Sequence, residues 1–159
     1  MIILGVDPGT TAVGYALIEG GYRPRLKTAG LLLIQARAHE ARLQELHASL
    51  GALIDAHRPD TCAVEKLFFV KNIKTAMAVA EARGVVLLTA ALAGLTVYEY
   101  TPLEIKKRVT GDGGADKTQV RKMVHLAFPE TQNRRWRDDV FDAIAVALCR
   151  NFQKEPYGI

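Results

Sequence analysis

The sequence is poor in cysteine, in aromatic residues and in long apolar runs, and each shortage narrows what the chain can be. Two cysteines among 159 residues, Cys62 and Cys149, are too few for a disulfide framework and lack the spacing of metal ligands. They read as buried structural thiols. The longest apolar stretch, around Val85 to Leu95, falls short of the roughly 20 residues that a membrane span needs. No spanning segment is expected. The apolar N-terminus has no basic leader and is broken at Asp7, the wrong pattern for a signal peptide, so the expected compartment is the cytoplasm. A chain of this length buries one sizeable core but not two. No linker, repeat or low-complexity tract divides it, and residues 1–159 are read as one domain.

What is present is an uneven charge. The formal net charge is only +4, but residues 101–137 carry nine Lys or Arg (Lys106, Lys107, Arg108, Lys117, Arg121, Lys122, Arg134, Arg135, Arg137) against four acids, a local +5. The remainder is therefore close to neutral. A basic region attached to a neutral domain suits a surface that meets phosphates; a solvated charged face is the plain alternative.

The order of elements is legible from periodicity. Residues 2–7 form an apolar run ending in an acid, which predicts a central strand buried on both faces. The turn Pro8-Gly9-Thr10-Thr11 and a second run at 13–19 follow too closely for anything but a hairpin. A third strand is predicted at 26–34. Leu43, Leu46, Leu50 and Leu53 recur at helical spacing within 39–57, and Pro59 stands just past the end. A strand at 61–65, a long Ala-rich helix at 72–93 and a strand at 96–100 come next. This alternation places strands 4 and 5 parallel to strand 1 with helices on the sheet. Gly84 inside the long helix suggests that another backbone approaches there. Further helices are expected at about 102–109, 116–127 and 138–151, with a glycine loop at 111–114.

Within that order, acids fall at informative places. Asp7 closes strand 1 and Glu65 closes strand 4, so parallel neighbours bring both to one sheet edge. Taken singly, each is an ordinary strand end meeting water. Asp139 and Asp142 lie three apart on one face of the last helix, and Asp142 sits among Phe141, Ala143, Ile144 and Val146. Such a carboxylate needs a cation or a hydrogen-bonded partner. Asp138 or Asp139 is also placed to cap the helix, whereas Asp142 is too far in. Four acids without a His or Cys cluster suit hard divalent ions such as Mg²⁺ or Mn²⁺, and two such ions are the usual means of phosphodiester displacement.

Together, the opening Ile-Leu-Gly-Val-Asp-Pro-Gly-Thr with Gly14 and Tyr15, the Ala-Val-Glu ending at Glu65 followed by Phe68, the Ala-Arg-Gly at 82–84, and Asp139-Val-Phe-Asp142-Ala-Ile-Ala resemble the RuvC family of Holliday-junction resolvases. The match runs from residue 1 to about 150 in order. The resemblance implies an RNase H-like α/β fold, a five-stranded mixed sheet flanked by helices. It also implies a homodimer that cuts opposed strands of four-way junction DNA by paired, symmetric hydrolysis during recombination and repair, with branch-migration helicase proteins as partners. Asp7, Glu65, Asp139 and Asp142 match the metal-binding acids, holding two Mg²⁺ per site with Mn²⁺ as substitute and Asp7 bridging both. Lys106 and Lys117 match basic residues near the scissile phosphate, and Lys117 is counted as catalytic. Phe68 matches an aromatic that enters the junction and stacks on a base, with Phe69 beside it as the alternative. Lys107, Arg121, Arg134, Arg135 and Arg137 are expected to contact DNA from the basic segment. Asp138, an extra acid beside Asp139, is a rival ligand, and Trp136 is placed either against DNA or under its loop.

Two other readings compete. Asp7-Pro8-Gly9-Thr10-Thr11 resembles the phosphate-binding opening of sugar kinases and actin-like ATPases, but 159 residues leave no room for their second lobe. A catalytically inactive junction-binding protein would retain the basic surface, but it would have no reason to keep all four acids.

Overall fold

The computed structural model describes residues 1–66 and 73–153. Its sheet has the order β3-β2-β1-β4-β5, built from β1 (Ile2–Asp7), β2 (Ala12–Glu19), β3 (Arg25–Leu33), β4 (Thr61–Glu65) and β5 (Thr96–Tyr100). The first three strands are antiparallel neighbours, and β4 and β5 run parallel to β1. The helices are α1 (His39–His57), α2 (Ile73–Leu92), α3 (Pro102–Thr110), α4 (Lys117–Ala127) and α5 (Asp138–Asn151). Among the described residues, no helix is long and apolar enough to cross a membrane.

β1 is central because both its faces are apolar: Ile3 to Val6 are all buried. Side chains alternate across the pleat, so Leu4 and Val6 join Val13, Leu17, Leu46, Leu50, Val86 and Ala90 in the layer under α1 and α2. Ile3, Ala16 and Ile18 join Phe128, Ile144 and Leu148 in the layer under α3, α4 and α5. Cys62 and Cys149 are free and buried, as the sequence predicts.

The tightest packing is of α5 on β1 and β2, and glycine permits it. A Cβ at Gly5 would lie 2.3 Å from the Ala143 carbonyl oxygen, and one at Gly14 would lie 2.0 Å from that of Asp139. The expectation for Gly84 differs. A Cβ there meets nothing within 4 Å, because Gly84 lies on the exposed side of α2. Among the described residues, no backbone from outside α2 approaches it. A short 3-10 turn at Pro129–Thr131, absent from the sequence reading, joins α4 to the approach to α5.

Candidate active site

The sheet register brings the acids together. Val6 pairs with Val64 across the parallel β1 and β4 ladder, so Asp7 and Glu65, one residue on, stand side by side at the same edge. Gly14 pairs with Asp7 on the other flank, and the backbone of Asp139 rests on Gly14. α5 therefore starts directly over β2, and one turn carries Asp142 toward the same edge. Its N-cap residue is Arg137, with no side-chain cap hydrogen bond, so neither Asp138 nor Asp139 serves as the cap.

Two capping boxes aim lysines at these acids. Asp116 caps α4, with its carboxylate accepting from the Gln119 amide at 2.8 Å and the Gln119 side chain accepting from the Asp116 amide at 2.8 Å. Such pairs satisfy orphan amides and fix where a helix begins. Lys117, the first residue of α4, then places its Nζ 3.5 Å from Asp142 Oδ2 and 3.8 Å from Asp138 Oδ2. Thr101 and Glu104 box the start of α3 in the same way. Lys106 joins Glu65, Lys117 and Asp142 around a cleft of about 320 Å³. A smaller recess of about 180 Å³ next to it is lined by Asp7, Glu65, Lys66 and Arg83, so Glu65 faces both.

The electrostatics are those of crowded acids. Burial first, then the charges of Asp142, Glu65 and Asp139, raise Asp7 to about 7 against the partial relief of Lys117. Burial and Asp142 raise Glu65 to about 7, opposed by Lys117 and Lys106. Asp142 is also pushed up by burial and eased by Lys117. Lys117 is raised chiefly by Asp142. Perturbed groups of this kind cluster where chemistry is done. Among the described residues, no group of three or more His, Cys, Asp or Glu side chains is placed to hold a metal ion as the side chains stand. The donor chemistry nonetheless fits hard divalent cations: the acids offer only oxygen, and Asp7 and Glu65 are raised to about 7.

Other predicted residues are spread more widely. Asp138 turns outward, with its side chain 59% exposed against 27% for Asp139, and pairs with Arg121 at 2.5 Å. Arg121 also stacks 4.4 Å from the Phe141 ring centroid, so part of its charge is engaged inside the protein. Arg137 lies 3.1 Å from Asp139. Arg134 stands 5.6 Å over Trp136, whose ring packs 5.9 Å from Phe141. Trp136 is thus half-buried under its loop. Lys107 and Arg135 are exposed. Phe68 and Phe69 lie outside the described residues.

One residue escaped the sequence reading as a contributor to the site. Arg83 of α2 donates through Nε to the Glu65 carbonyl oxygen at 3.1 Å and pairs with Glu99 of β5. It ties the end of β4 to α2 and lines the recess with Asp7. A signal existed: after Lys74, Arg83 is the one basic residue in α2, on a helix otherwise dominated by Ala, Val and Leu.

Comparison with known proteins gives one answer. The family model described as crossover junction endodeoxyribonuclease RuvC matches residues 3–150. A protein of that name from Pelotomaculum thermopropionicum is 48% identical over 153 residues, covering 94% of this chain and 92% of the relative. One from Moorella thermoacetica is 49% identical over 154 residues, covering 94% and 90%. Among solved structures, T. thermophilus RuvC in complex with a Holliday junction substrate superposes with a TM-score of 0.88 at 31% identity, covering 96% of this chain and 93% of that one.

Proposed function

The chain belongs to the RuvC family of crossover junction endodeoxyribonucleases and is an endonuclease that resolves Holliday junctions; from that premise we propose that it cuts at the edge where Asp7, Glu65, Asp139 and Asp142 converge, with divalent metal bound by those acids. The observation that carries this reading is the convergence itself. Two neighbouring strand ends and one turn of a packed helix direct acids to one place, and Asp7 and Glu65 are raised to about 7 there. Two Mg²⁺, or Mn²⁺ in their place, would supply the Lewis acidity that activates water and steadies the departing oxygen in phosphodiester hydrolysis.

The chain's own residues do the rest. Lys117 reaches past the mouth of the cleft to Asp142, where its charge is placed to offset negative charge as it builds on the phosphate. Lys106 lines the same cleft and fixes the incoming backbone. Lys107, Arg134, Arg135 and Arg137 extend the basic surface outward, where contacts set register and salt dependence rather than the rate of the cut. Arg121 supports this corner through Asp138 and Phe141. Phe68 is assigned the stacking role on the opened junction.

Paired symmetric nicks need two sites, and α2 offers the surface for a homodimer. Met77, Glu81, Gly84, Leu88 and Leu92 recur at helical spacing and are all exposed, with Met77 at 62%, Leu88 at 57% and Leu92 at 71%. Three exposed apolar side chains, Met77, Leu88 and Leu92, with Gly84 between them and Glu81 as the one charge on the stripe, suit self-association about a two-fold axis. Branch-migration helicase proteins are the partners this reading carries for the assembled junction.

The decisive experiment uses a labelled synthetic four-way junction. Wild-type protein with Mg²⁺ should make opposed nicks, chelator should stop them, and Asp7→Asn should bind the junction without cutting it. Cleavage by Asp7→Asn near the wild-type rate would overturn the assignment of the metal site.

A further inference from the structure

Beyond the turn that follows Asp7 lies a second and larger cleft, of about 510 Å³, formed where the β1–β2 turn meets the start of α1 and the side of α2. Its polar walls are Thr10, Arg37, His39 and Arg42, and Ala78 and Ala82 are among its apolar ones. The wall between this cleft and the acids is thin. Gly9 lines the cleft, and a Cβ on Gly9 would lie 3.9 Å from Asp139 Oδ1. A DNA strand laid across the turn would have one phosphate at the acids and another within reach of the cleft.

The cleft is lined by Arg37, Arg42 and His39 and, among the described residues, by no acid. Outside the lining, Glu81 lies 3.2 Å from His39, and Glu45 accepts from the backbone amides of Gln35 and Ala36 at 2.9 and 2.8 Å. Arg42 donates one N–H to the Thr10 carbonyl oxygen, which anchors its guanidinium beside the turn and leaves further donors on the fork. Arg37 is exposed and has no acidic partner among the described residues. α1 also starts here, with Ala38 at its N-cap and no side-chain cap hydrogen bond, so the positive end of the helix adds to the same field. Planar guanidinium groups match phosphate oxygens in geometry as well as charge, and the alanine wall is apolar enough for a deoxyribose.

We propose that this cleft binds a backbone phosphodiester of the junction close to the one that is cut, with Arg37 and Arg42 as its cationic ligands. The proposal rests on the resolvase reading and deepens it. A phosphate held on one side of the β1–β2 turn sets the register of the strand, and with it the phosphate that arrives at Asp7 and Asp142 on the other. Arg42 acts on both, since it also holds the turn through Thr10.

The test is binding to four-way junctions in which single phosphates near the cut are replaced by neutral methylphosphonates, measured in chelator with wild-type protein and Arg37→Ala. Arg37 is exposed, so its replacement leaves the fold intact. On the unmodified junction, Arg37→Ala should bind roughly tenfold more weakly, and its salt slope should be smaller by about one unit. At one modified position, wild-type binding should fall by the same factor while Arg37→Ala suffers no further loss. Wild-type affinity and slope in Arg37→Ala, or penalties that simply multiply at every position, would overturn the proposal.

A second measurement stands apart from cleavage. The dinucleotide d(TpT) should shift the amide resonances of Thr10 and Thr11 in wild-type protein and not in Arg37→Ala. Shifts caused by inorganic phosphate but not by d(TpT) would mean a simple anion site and would also overturn it. If the wild type bound d(TpT) in this way yet failed to nick a junction with Mg²⁺, the resolvase reading would fall and the phosphodiester site would stand.

Discussion

Replacing Gly14 by alanine tests how the site is built, because one methyl group is enough to separate its parts. Gly14 faces Asp7 across the β1 and β2 ladder and lies beneath the first turn of α5. A Cβ there would stand 2.0 Å from the Asp139 carbonyl oxygen, 2.5 Å from its carbonyl carbon and 3.2 Å from its Cβ. Carbon and oxygen do not approach within about 3 Å without strong repulsion. The obstructing atoms are backbone, so no side-chain rotation relieves the clash, and the start of α5 must lift by about 1 Å. Overpacking of this kind costs about 1–3 kcal/mol, which lowers Tm by roughly 2–10 °C in a chain of this size. A domain stable by about 5–15 kcal/mol still folds.

The loss of activity should be larger than the loss of stability. A misplacement of about 1 Å at a catalytic group costs on the order of 100-fold in rate, and the lifted turn carries Asp139. Single-turnover cleavage of a four-way junction, at saturating protein and saturating Mg²⁺, should therefore fall by about two orders of magnitude. Gly51→Ala is the control. It lies in α1 with nothing within 4 Å of its added Cβ, so it should raise stability by about 0.5–1 kcal/mol and leave cleavage unchanged. A Gly14→Ala protein that cut at the wild-type rate would refute the view that close packing of α5 on β2 sets the position of Asp139.

In chelator, stability should fall as pH rises from about 4 to about 7: the folded protein keeps protons on Asp7 and Glu65 that the unfolded chain has released, so the slope of unfolding free energy with pH is negative. Asp7→Asn should then melt above wild type at pH 8 in chelator, and a lower melting temperature would contradict the crowding of these acids. Lys117→Ala should sharply slow the single-turnover cut with little change in junction affinity, whereas Arg135→Ala should weaken binding and reduce the salt slope by about one unit; equal losses of affinity, with full rescue of the rate at saturating protein, would make Lys117 an ordinary backbone contact. Arg83→Gln removes the tether on Glu65 and should raise the Mg²⁺ concentration needed for half-maximal cleavage by roughly tenfold, so an unchanged metal titration would count against it. On the proposed homodimer, wild-type protein should sediment as a dimer and Gly84→Leu should shift it toward monomer; a variant dimer as stable as wild type would place the two-fold contact elsewhere.

Most of the fold was legible because local pattern and tertiary demand agree in it. The leucine period and Pro59 bound α1 at the residues observed, and the apolar runs of β1, β4 and β5 end where the strands do. What the sequence could not display were contacts between segments far apart in the chain. Gly84 has no close neighbour among the described residues, so close approach there is left to the proposed dimer, whereas Gly5 and Gly14 are the glycines that α5 lies on. The turn at Pro129–Thr131 has no period to reveal it. It is held by the buried Thr131 hydroxyl, which bonds the Phe128 carbonyl and His125 Nδ1 at 2.7 Å each. Composition marked Arg121 as part of a DNA-facing surface, while its partners Asp138 and Phe141 lie some 20 residues on. Four acids could be picked out from their positions at strand ends and on one helical face. Arg83 stood out as a lone basic residue late in α2, but its tie to the site could not be read, because its bond to Glu65 is to a backbone carbonyl and its ion-pair partner Glu99 lies on another strand.

The acids are close because they have nowhere to retreat. Asp7 and Glu65 are fixed by adjacent strands of one ladder. Asp139 and Asp142 ride on α5, in which Val140, Phe141 and Ala143 through Arg150 are all buried. Sliding that helix outward to relax the repulsion would expose much of one core layer, and burial of each large apolar side chain is worth about 1.5–3 kcal/mol. Repulsion between carboxylates at partly solvated positions is weaker than that sum. It adds to the larger effect of burial in raising the proton affinity of Asp7 and Glu65, and it attracts Lys117, while the backbone stays in place. A site so constrained favours whatever brings positive charge. A proton brings one unit to one carboxylate and Lys117 brings one unit at the rim, but a divalent ion brings two and meets oxygens from more than one element at once. On the proposed reading, the packing of α5 on Gly5 and Gly14 is what holds Asp139 and Asp142 over the sheet edge that carries Asp7 and Glu65, where a divalent ion would be favoured over water.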